Sequence, residues 1–279
     1  MSDIRVTDLF IYPVKSCAPL RVSRAWVGPQ GLAADRRYMV VDLDGKFLTA
    51  RRYPQLTRLW ATPLESGLIL ATDRGSSLTL QVADYPSEWV SVEVWKQTVQ
   101  AQSCGTEADA WMSQFLGEPC RLVYFAAQSE RPVKDSQDDQ VGFADGYPLL
   151  LTSGASLDWL QQRCPVPVDR QQFRANVIVS GTLPFAEDGW LDLAIGDVRL
   201  RVHSPCERCK LITLPPGQTT FDATQEPLRT LLHYRRLPEG GAIFGQNLLV
   251  RQPGVIAEGM QVEVLAHKTP PLLREPDQG

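Results

Sequence analysis

Histidine is scarce in this chain, with three among 279 residues, and the six cysteines (Cys17, Cys104, Cys120, Cys164, Cys206, Cys209) are scattered apart from one close pair. That spacing, in a chain long enough to build its own core, excludes a disulfide-stapled scaffold. No apolar run approaches the roughly 20 residues that span a bilayer. The opening Met1-Ser2-Asp3-Ile4-Arg5 leads into alternating residues and not into the apolar core of a signal peptide. These absences predict a cytoplasmic chain with no membrane partner. An excess of one charge is also lacking. A formal net charge of -4 with 22% charged residues leaves no electrostatic footprint for nucleic acid, so any anion site must be local. The 20 glycines and 21 prolines form no tract, which excludes collagen-like and wholly disordered chains. Neither a glycine-rich nucleotide-binding pattern nor a Ser-His-Asp arrangement emerges.

What is present is mostly strand signal. β-branched and aromatic residues alternate between turn residues over 4–12, 20–26, 38–43, 46–50 and 56–63, with Asp44-Gly45 predicting a two-residue hairpin turn. Ser66-Gly67 and Gly75-Ser76 punctuate two further short strands, and 90–95 with 98–102 predict a pair around Lys96-Gln97. Helices are few. Ala108, Trp111, Met112, Phe115 and Leu116 recur at helical spacing from Thr106, with Thr106 and Asp109 as an expected capping box and Gly117 as the stop. Two more helices are expected over 153–164 and 226–234. The polar stretch 127–140 divides this half from later strands over 176–180, 198–203, 247–251 and 261–266. The expected fold class is mainly β with a few helices (α+β).

Cys206-Glu207-Arg208-Cys209 is the sharpest local signal. Cations beside a thiol favour the thiolate, the form that binds metals and attacks electrophiles. Two buried core thiols are the plain alternative. A structural zinc site needs four ligands, and His203 with these two cysteines gives three. A thioredoxin-like pair needs its motif to open a helix, whereas the Leu-Ile-Thr-Leu-Pro-Pro that follows reads as extended and then turned. One soft thiolate completing a metal whose other ligands come from a cofactor fits the scarcity of ligands. A second set, Lys15-Ser16, Asp35-Arg36-Arg37 and Arg174-Ala175-Asn176, places basic residues beside strand ends in turn-like contexts. Singly these are solvated surface charges. Together they suit a phosphate monoester. Asp145, in Phe143-Ala-Asp145-Gly-Tyr147-Pro, reads as a turn residue that can accept hydrogen bonds, and Gly245 in Phe244-Gly245-Gln246-Asn247 as a bend before a strand. His233 reads as a helix-surface residue.

Six motifs in order, Ile11-Tyr-Pro-Val-Lys15-Ser16-Cys17, Asp35-Arg36 with Thr49-Ala-Arg51, the Asp145 turn, Phe173-Arg174-Ala-Asn176, Cys206-Glu-Arg208-Cys209 and Phe244-Gly-Gln246-Asn247, resemble MOSC-domain proteins of the YcbX and mitochondrial amidoxime-reducing-component type. The resemblance runs from about Ile4 to Ala266. It implies an N-terminal β-barrel domain over 1–125, a MOSC β-barrel domain over 126–268 and an exposed tail over 269–279. It also implies a molybdenum cofactor (Mo-molybdopterin) held between the two domains. Cys209 would then be the metal ligand, with the pterin and its phosphate held by Lys15, Ser16, Arg36, Arg174, Asn176 and Arg208, and Asp145 near the metal as a catalytic residue. This chain departs from relatives at Glu207 and Tyr147, where serine is common, and at Ala175, where mitochondrial relatives carry proline.

The activity implied is reduction of N-hydroxylated compounds, namely amidoximes, hydroxylamines and N-hydroxylated bases. No cysteine follows Cys209, so electrons are expected from a separate flavin or iron–sulfur protein. The rival reading makes Cys209 the carrier of a persulfide in sulfur transfer.

Overall fold

The computed structural model describes residues 3–274; Met1, Ser2 and the last five residues of the expected 269–279 tail lie outside them. Alternation of buried and exposed residues builds the strands between Leu59 and Ser103, whereas the central strands of the largest sheet are buried in runs. In the three-stranded meander Leu59–Leu64, Gly67–Thr72 and Ser77–Gln81, Leu59, Ala61, Leu68, Leu70, Leu78 and Leu80 all face one core. The helix Thr106–Leu116 lays Ala108, Met112 and Leu116 on the same core, and Gly117 ends it at a left-handed φ of 80°. A four-stranded antiparallel sheet, in the order Tyr38–Val41, Arg121–Tyr124, Gln97–Ser103, Trp89–Val94, stands beside it.

The largest sheet has eight strands in the order Leu20–Val22, Arg5–Ile11, Val177–Ser180, Leu149–Ser153, Ala242–Gln252, Val198–Arg208, Trp190–Ile195, Val262–His267. Its pairings are antiparallel except that of Leu149–Ser153 with Val177–Ser180, which is parallel and bridged by the helix Gly154–Gln161. Ser153 caps that helix by accepting from the Ser156 amide. The first two strands of the chain therefore belong to the sheet built by its second half.

Several local expectations are corrected. The run 20–26 breaks at Ser23, and its halves pair with different partners, Leu20–Val22 with Arg5–Ile11 and Arg24–Gly28 with Gly254–Ala257. At the Asp44-Gly45 turn only Gly45 has positive φ, and the Asp42 carboxylate closes the turn by accepting from the amides of Asp44 and Lys46. Residues 46–50 make only single bridges. No capping box forms at Thr106. Gly105 takes the N-cap, and Asp109 Oδ1 instead accepts from the Leu122 amide at 2.9 Å, because the helix is docked on the next strand. Within the polar stretch 127–140, Pro132–Val133 and Ser136–Gln140 form a hairpin, and Val133 packs with Val141 and Leu249. Beyond Cys209 the chain makes a 3-10 turn, Lys210–Thr213, where extended chain was expected.

Gly245 lies inside the strand Ala242–Gln252, not before it, at φ 82°. A Cβ there would fall 2.7 Å from the Leu151 carbonyl oxygen and 2.7 Å from Thr152 Cγ2. Gly245→Ala is expected to destabilise by roughly 2 kcal/mol or more, since a strained φ and a backbone clash add. Calorimetry should show the melting temperature falling by roughly 4–8 °C; an unchanged melting temperature would contradict this account of Gly245.

Candidate functional site

The turns after the strand Arg5–Ile11 meet the ends of the strands Leu149–Ser153 and Val198–Arg208 at a cleft. All eight residues singled out in the sequence line it: Lys15, Ser16, Arg36, Asp145, Arg174, Asn176, Arg208 and Cys209. Backbone geometry explains part of the convergence. Ser16 (φ 71°), Arg36 (φ 47°) and Arg174 (φ 54°) adopt left-handed conformations that non-glycine residues rarely take, and such strain persists where the surroundings over-determine it. Arg174 is delivered by the 3-10 turn Arg170–Phe173, which Asp169 and Gln172 close with a reciprocal capping box. Arg36 follows Asp35, whose carboxylate accepts from the Tyr12 amide at 2.8 Å and from Arg36 Nη1 at 2.7 Å.

The cations are buried or half-buried, not solvated. The guanidinium carbons of Arg36 and Arg174 lie 4.1 and 4.2 Å from the centroid of the Tyr12 ring, whose π electrons ease their mutual repulsion. Arg36 Nη2 also donates to the Arg174 carbonyl at 3.1 Å, and Arg174 Nη1 to the Cys17 carbonyl at 2.9 Å. Burial, followed by the charge of Arg36, pushes the Arg174 guanidinium down to about 10. Arg208 Nη2 donates to the Phe173 carbonyl at 2.7 Å and Nη1 to Cys206 Sγ at 2.9 Å. Two donors remain without partners in the buried wall, Arg174 Nη2 and Arg208 Nε. Neither arginine has a carboxylate partner among the described residues. A buried donor left unsatisfied is expensive, and a wall of such donors suits an acceptor that carries negative charge.

Lys15, with 6% of its side chain exposed, donates to the Phe143 carbonyl at 2.8 Å and pairs with Asp145. Burial pushes its ammonium down to about 8, against the pull of Asp145. Asp145 sits at the open side, with 66% of its side chain exposed. Desolvation by the surrounding protein works against its ionisation, and Lys15, then Arg51 and Arg36, overcome it and hold the carboxyl below its usual range. Because the Lys15 ammonium titrates near 8, sulfate affinity should be constant below about pH 7 and weaken as pH rises past 8. Sulfate keeps its own charge across this window, and calorimetric titration of wild type and Lys15→Met provides the check. Identical pH profiles for the two proteins would remove Lys15 from the anion site.

Cys209 is exposed at the N-terminal end of the turn Lys210–Thr213, whereas Cys206 is half-buried beside Arg208. Among the described residues, no three His, Cys, Asp or Glu side chains gather as a metal site. A metal at Cys209 would take its other ligands from elsewhere. Asn176 lines the cleft, but its amide is engaged by the sheet: Oδ1 accepts from the Leu150 amide and Nδ2 donates to the Phe10 carbonyl, both at 3.1 Å. Glu207 lies against Gly241. Burial pushes the Cys17 thiol up to about 12 and leaves it inert.

Two residues given no role in the sequence join the site. Arg51 stacks on Trp95, 4.5 Å from its centroid, and its Nη1 lies 3.9 Å from Cys209 Sγ. The Thr49-Ala50-Arg51 motif marked the position but not this contact. Arg131, in the polar stretch 127–140, is 2% exposed and holds the loop that carries Asp145.

Comparison with known proteins adds the family. Residues 3–119 match the MOSC N-terminal beta barrel domain, and residues 138–263 match the MOSC domain. The chain is 35% identical to mitochondrial amidoxime-reducing component 1 of Mus musculus, over 93% of this chain and 82% of that protein. It is 34% identical to the corresponding Homo sapiens protein over 93% of this chain and 82% of that one. A molybdenum cofactor sulfurase of Danio rerio is 34% identical over 88% of this chain, which spans only 32% of the sulfurase. No helix among the described residues is long and apolar enough to cross a membrane. With both domain models matched in order and such identity over nearly its whole length, the chain belongs to the MOSC-domain family, alongside the mitochondrial amidoxime-reducing components.

Proposed function

We propose that this chain is a molybdenum-cofactor-dependent reductase of N-hydroxylated compounds, such as amidoximes, hydroxylamines and N-hydroxylated bases, with electrons supplied by a separate flavin or iron–sulfur protein. The observation that carries this reading is the convergence of Lys15, Arg36, Arg174 and Arg208, two of them with unpartnered buried donors, beside one exposed thiol. Such a wall suits a phosphate-bearing pterin, and the thiol suits a metal. Arg174 Nη2 and Arg208 Nε would take the phosphate, with Lys15, Arg36 and the Ser16 turn around it, and Cys209 would ligate molybdenum. When bound, the cofactor supplies two-electron chemistry at an N–O bond, for the overall change R–NHOH + 2 e⁻ + 2 H⁺ → R–NH₂ + H₂O.

The protein groups supply orientation and protons. The ionised Asp145 carboxylate accepts from substrate N–H groups at the open side of the cleft. The Lys15 ammonium keeps that carboxylate ionised, and the carboxylate can pass on protons that arrive from solvent at the open side. Asn176, engaged by the sheet, supports the wall and does not touch the ligand. All six cysteines are free, which agrees with a reducing compartment such as the cytoplasm.

The exposure of Cys209 also suits persulfide transfer, but a sulfur carrier has no use for the guanidinium wall behind it. One purification separates the two readings. Protein from molybdate-supplied, cofactor-competent cells should hold near-stoichiometric molybdenum and pterin and reduce benzamidoxime with a reduced viologen dye. Well-folded protein without metal or pterin, releasing thiocyanate from Cys209 on cyanide treatment, would replace the reductase with the carrier.

A further inference from the structure

Arg131 is the largest side chain in the fully buried interior, and no carboxylate pairs with it among the described residues. A buried guanidinium without an acid is costly unless its nitrogens find acceptors, and here all three do, through four of the five N–H groups. Nη1 donates to the carbonyls of Gly142 at 2.8 Å and Ala144 at 2.5 Å, Nη2 to the Asp145 carbonyl at 2.9 Å, and Nε to Gln97 Oε1 at 2.8 Å. The one carbonyl of this run that Arg131 leaves, Phe143, accepts from Lys15. Four consecutive carbonyls, 142 to 145, are thus gathered by two buried cations, and the second of these is the partner of the Asp145 carboxylate. Gln97 opens the strand Gln97–Ser103, directly after the Trp95-Lys96 turn of its hairpin, and its Nε2 donates to the Pro132 carbonyl at 3.0 Å. Trp95, in a left-handed conformation (φ 59°), carries the Arg51 guanidinium that approaches Cys209. One guanidinium thus touches both the 142–145 loop and the strand start two residues beyond Trp95.

We propose that Arg131 is the positioning residue of this site: it fixes the 142–145 loop so that the Asp145 carboxylate stays on Lys15, and it ties that loop to the Trp95 hairpin. Lysine cannot replace it, because a single ammonium cannot reach three carbonyls and a side-chain amide in the planar arrangement of the fork. What Asp145 does for a substrate rests on the reductase reading above; its placement by Arg131 does not.

The test needs neither cofactor nor turnover. The ¹³Cε signal of Lys15 in lysine-labelled protein, assigned by its loss in Lys15→Met, reports the Lys15 titration. The charged groups acting on Lys15 are Asp145, which favours the ammonium, and Arg131 and Arg36, which oppose it. Removing the Asp145 charge in Asp145→Asn must lower the midpoint. If Arg131 acted only as a nearby cation, Arg131→Met would raise the midpoint and Arg131→Lys would leave it alone. Positioning gives the opposite sign: both variants release Asp145 and lower the midpoint by at least half the Asp145→Asn shift. Should Arg131→Met not fold, Arg131→Lys carries the same decision. A rise, an unchanged midpoint, or no effect of Asp145→Asn would each overturn the proposal. Protein that shows the expected shifts but reduces no N-hydroxylated compound would sink the reductase and leave the role of Arg131 standing; a working reductase whose Lys15 midpoint ignores Arg131 would do the reverse.

Discussion

Replacing Cys209 with serine is expected to remove molybdenum and benzamidoxime turnover together, both to background, in protein that still folds. The fold should survive because Cys209 is exposed and packs in none of the hydrophobic cores. A hydroxyl is a poor substitute for a soft thiolate, and no cluster of His, Cys, Asp or Glu among the described residues offers a ready-made replacement site. Cys206→Ser sets the contrast. Cys206 accepts from Arg208 at 2.9 Å, and serine keeps an acceptor there, so a loss of no more than about threefold in turnover is expected, in line with one weakened hydrogen bond. Elemental analysis of both variants decides the matter: equal metal loss would refute a single protein ligand, and full retention in Cys209→Ser would refute Cys209.

The second large effect is expected at Arg174. Arg174→Gln removes a charge whose Nη2 donor has no partner in the protein. Charge-assisted hydrogen bonds contribute about 1.5–3 kcal/mol each, so pterin retention, or sulfate affinity without the cofactor, should fall about 10- to 100-fold. Stability should fall by no more than about 2 kcal/mol in urea denaturation, because loss of the stacking on Tyr12 and of the hydrogen bond to the Cys17 carbonyl is partly offset by relief from burying a second guanidinium beside Arg36. A residue that served the fold alone would give the reverse pattern, a large loss of stability with affinity intact in the surviving folded fraction.

Local periodicity was enough to read the helix Thr106–Leu116 to its ends, and turn chemistry placed Lys15, Arg36 and Arg174 beside strand ends. The cleft brings these residues together from positions too far apart for any window of sequence to relate. Contacts made across such distances were illegible for the same reason. Arg131 looks solvated because its neighbours in sequence are polar, yet its partners are backbone carbonyls 11 to 14 residues away and Gln97, 34 residues away, groups with no residue-type signature. Asn176 carried the right residue type for a ligand contact, but the sheet uses its amide first. The capping pair at Thr106 failed because Asp109 accepts instead from a strand amide that only tertiary packing supplies.

The pairing of Arg5–Ile11 with Val177–Ser180 bears on how the polypeptide is made. Thr7 and Ile178, joined by a hydrogen bond across these strands, are 171 residues apart. On a ribosome adding about 5–20 residues each second, the apolar Leu9-Phe10-Ile11 segment waits many seconds for its partner strand to emerge. The meander and the helix that follow can collapse in the meantime, since their contacts are local. Newborn chains would thus carry this strand with one edge open through most of synthesis, its other edge paired only with the short Leu20–Val22. A polypeptide severed near residue 125 would leave that edge permanently without its partner from the second half.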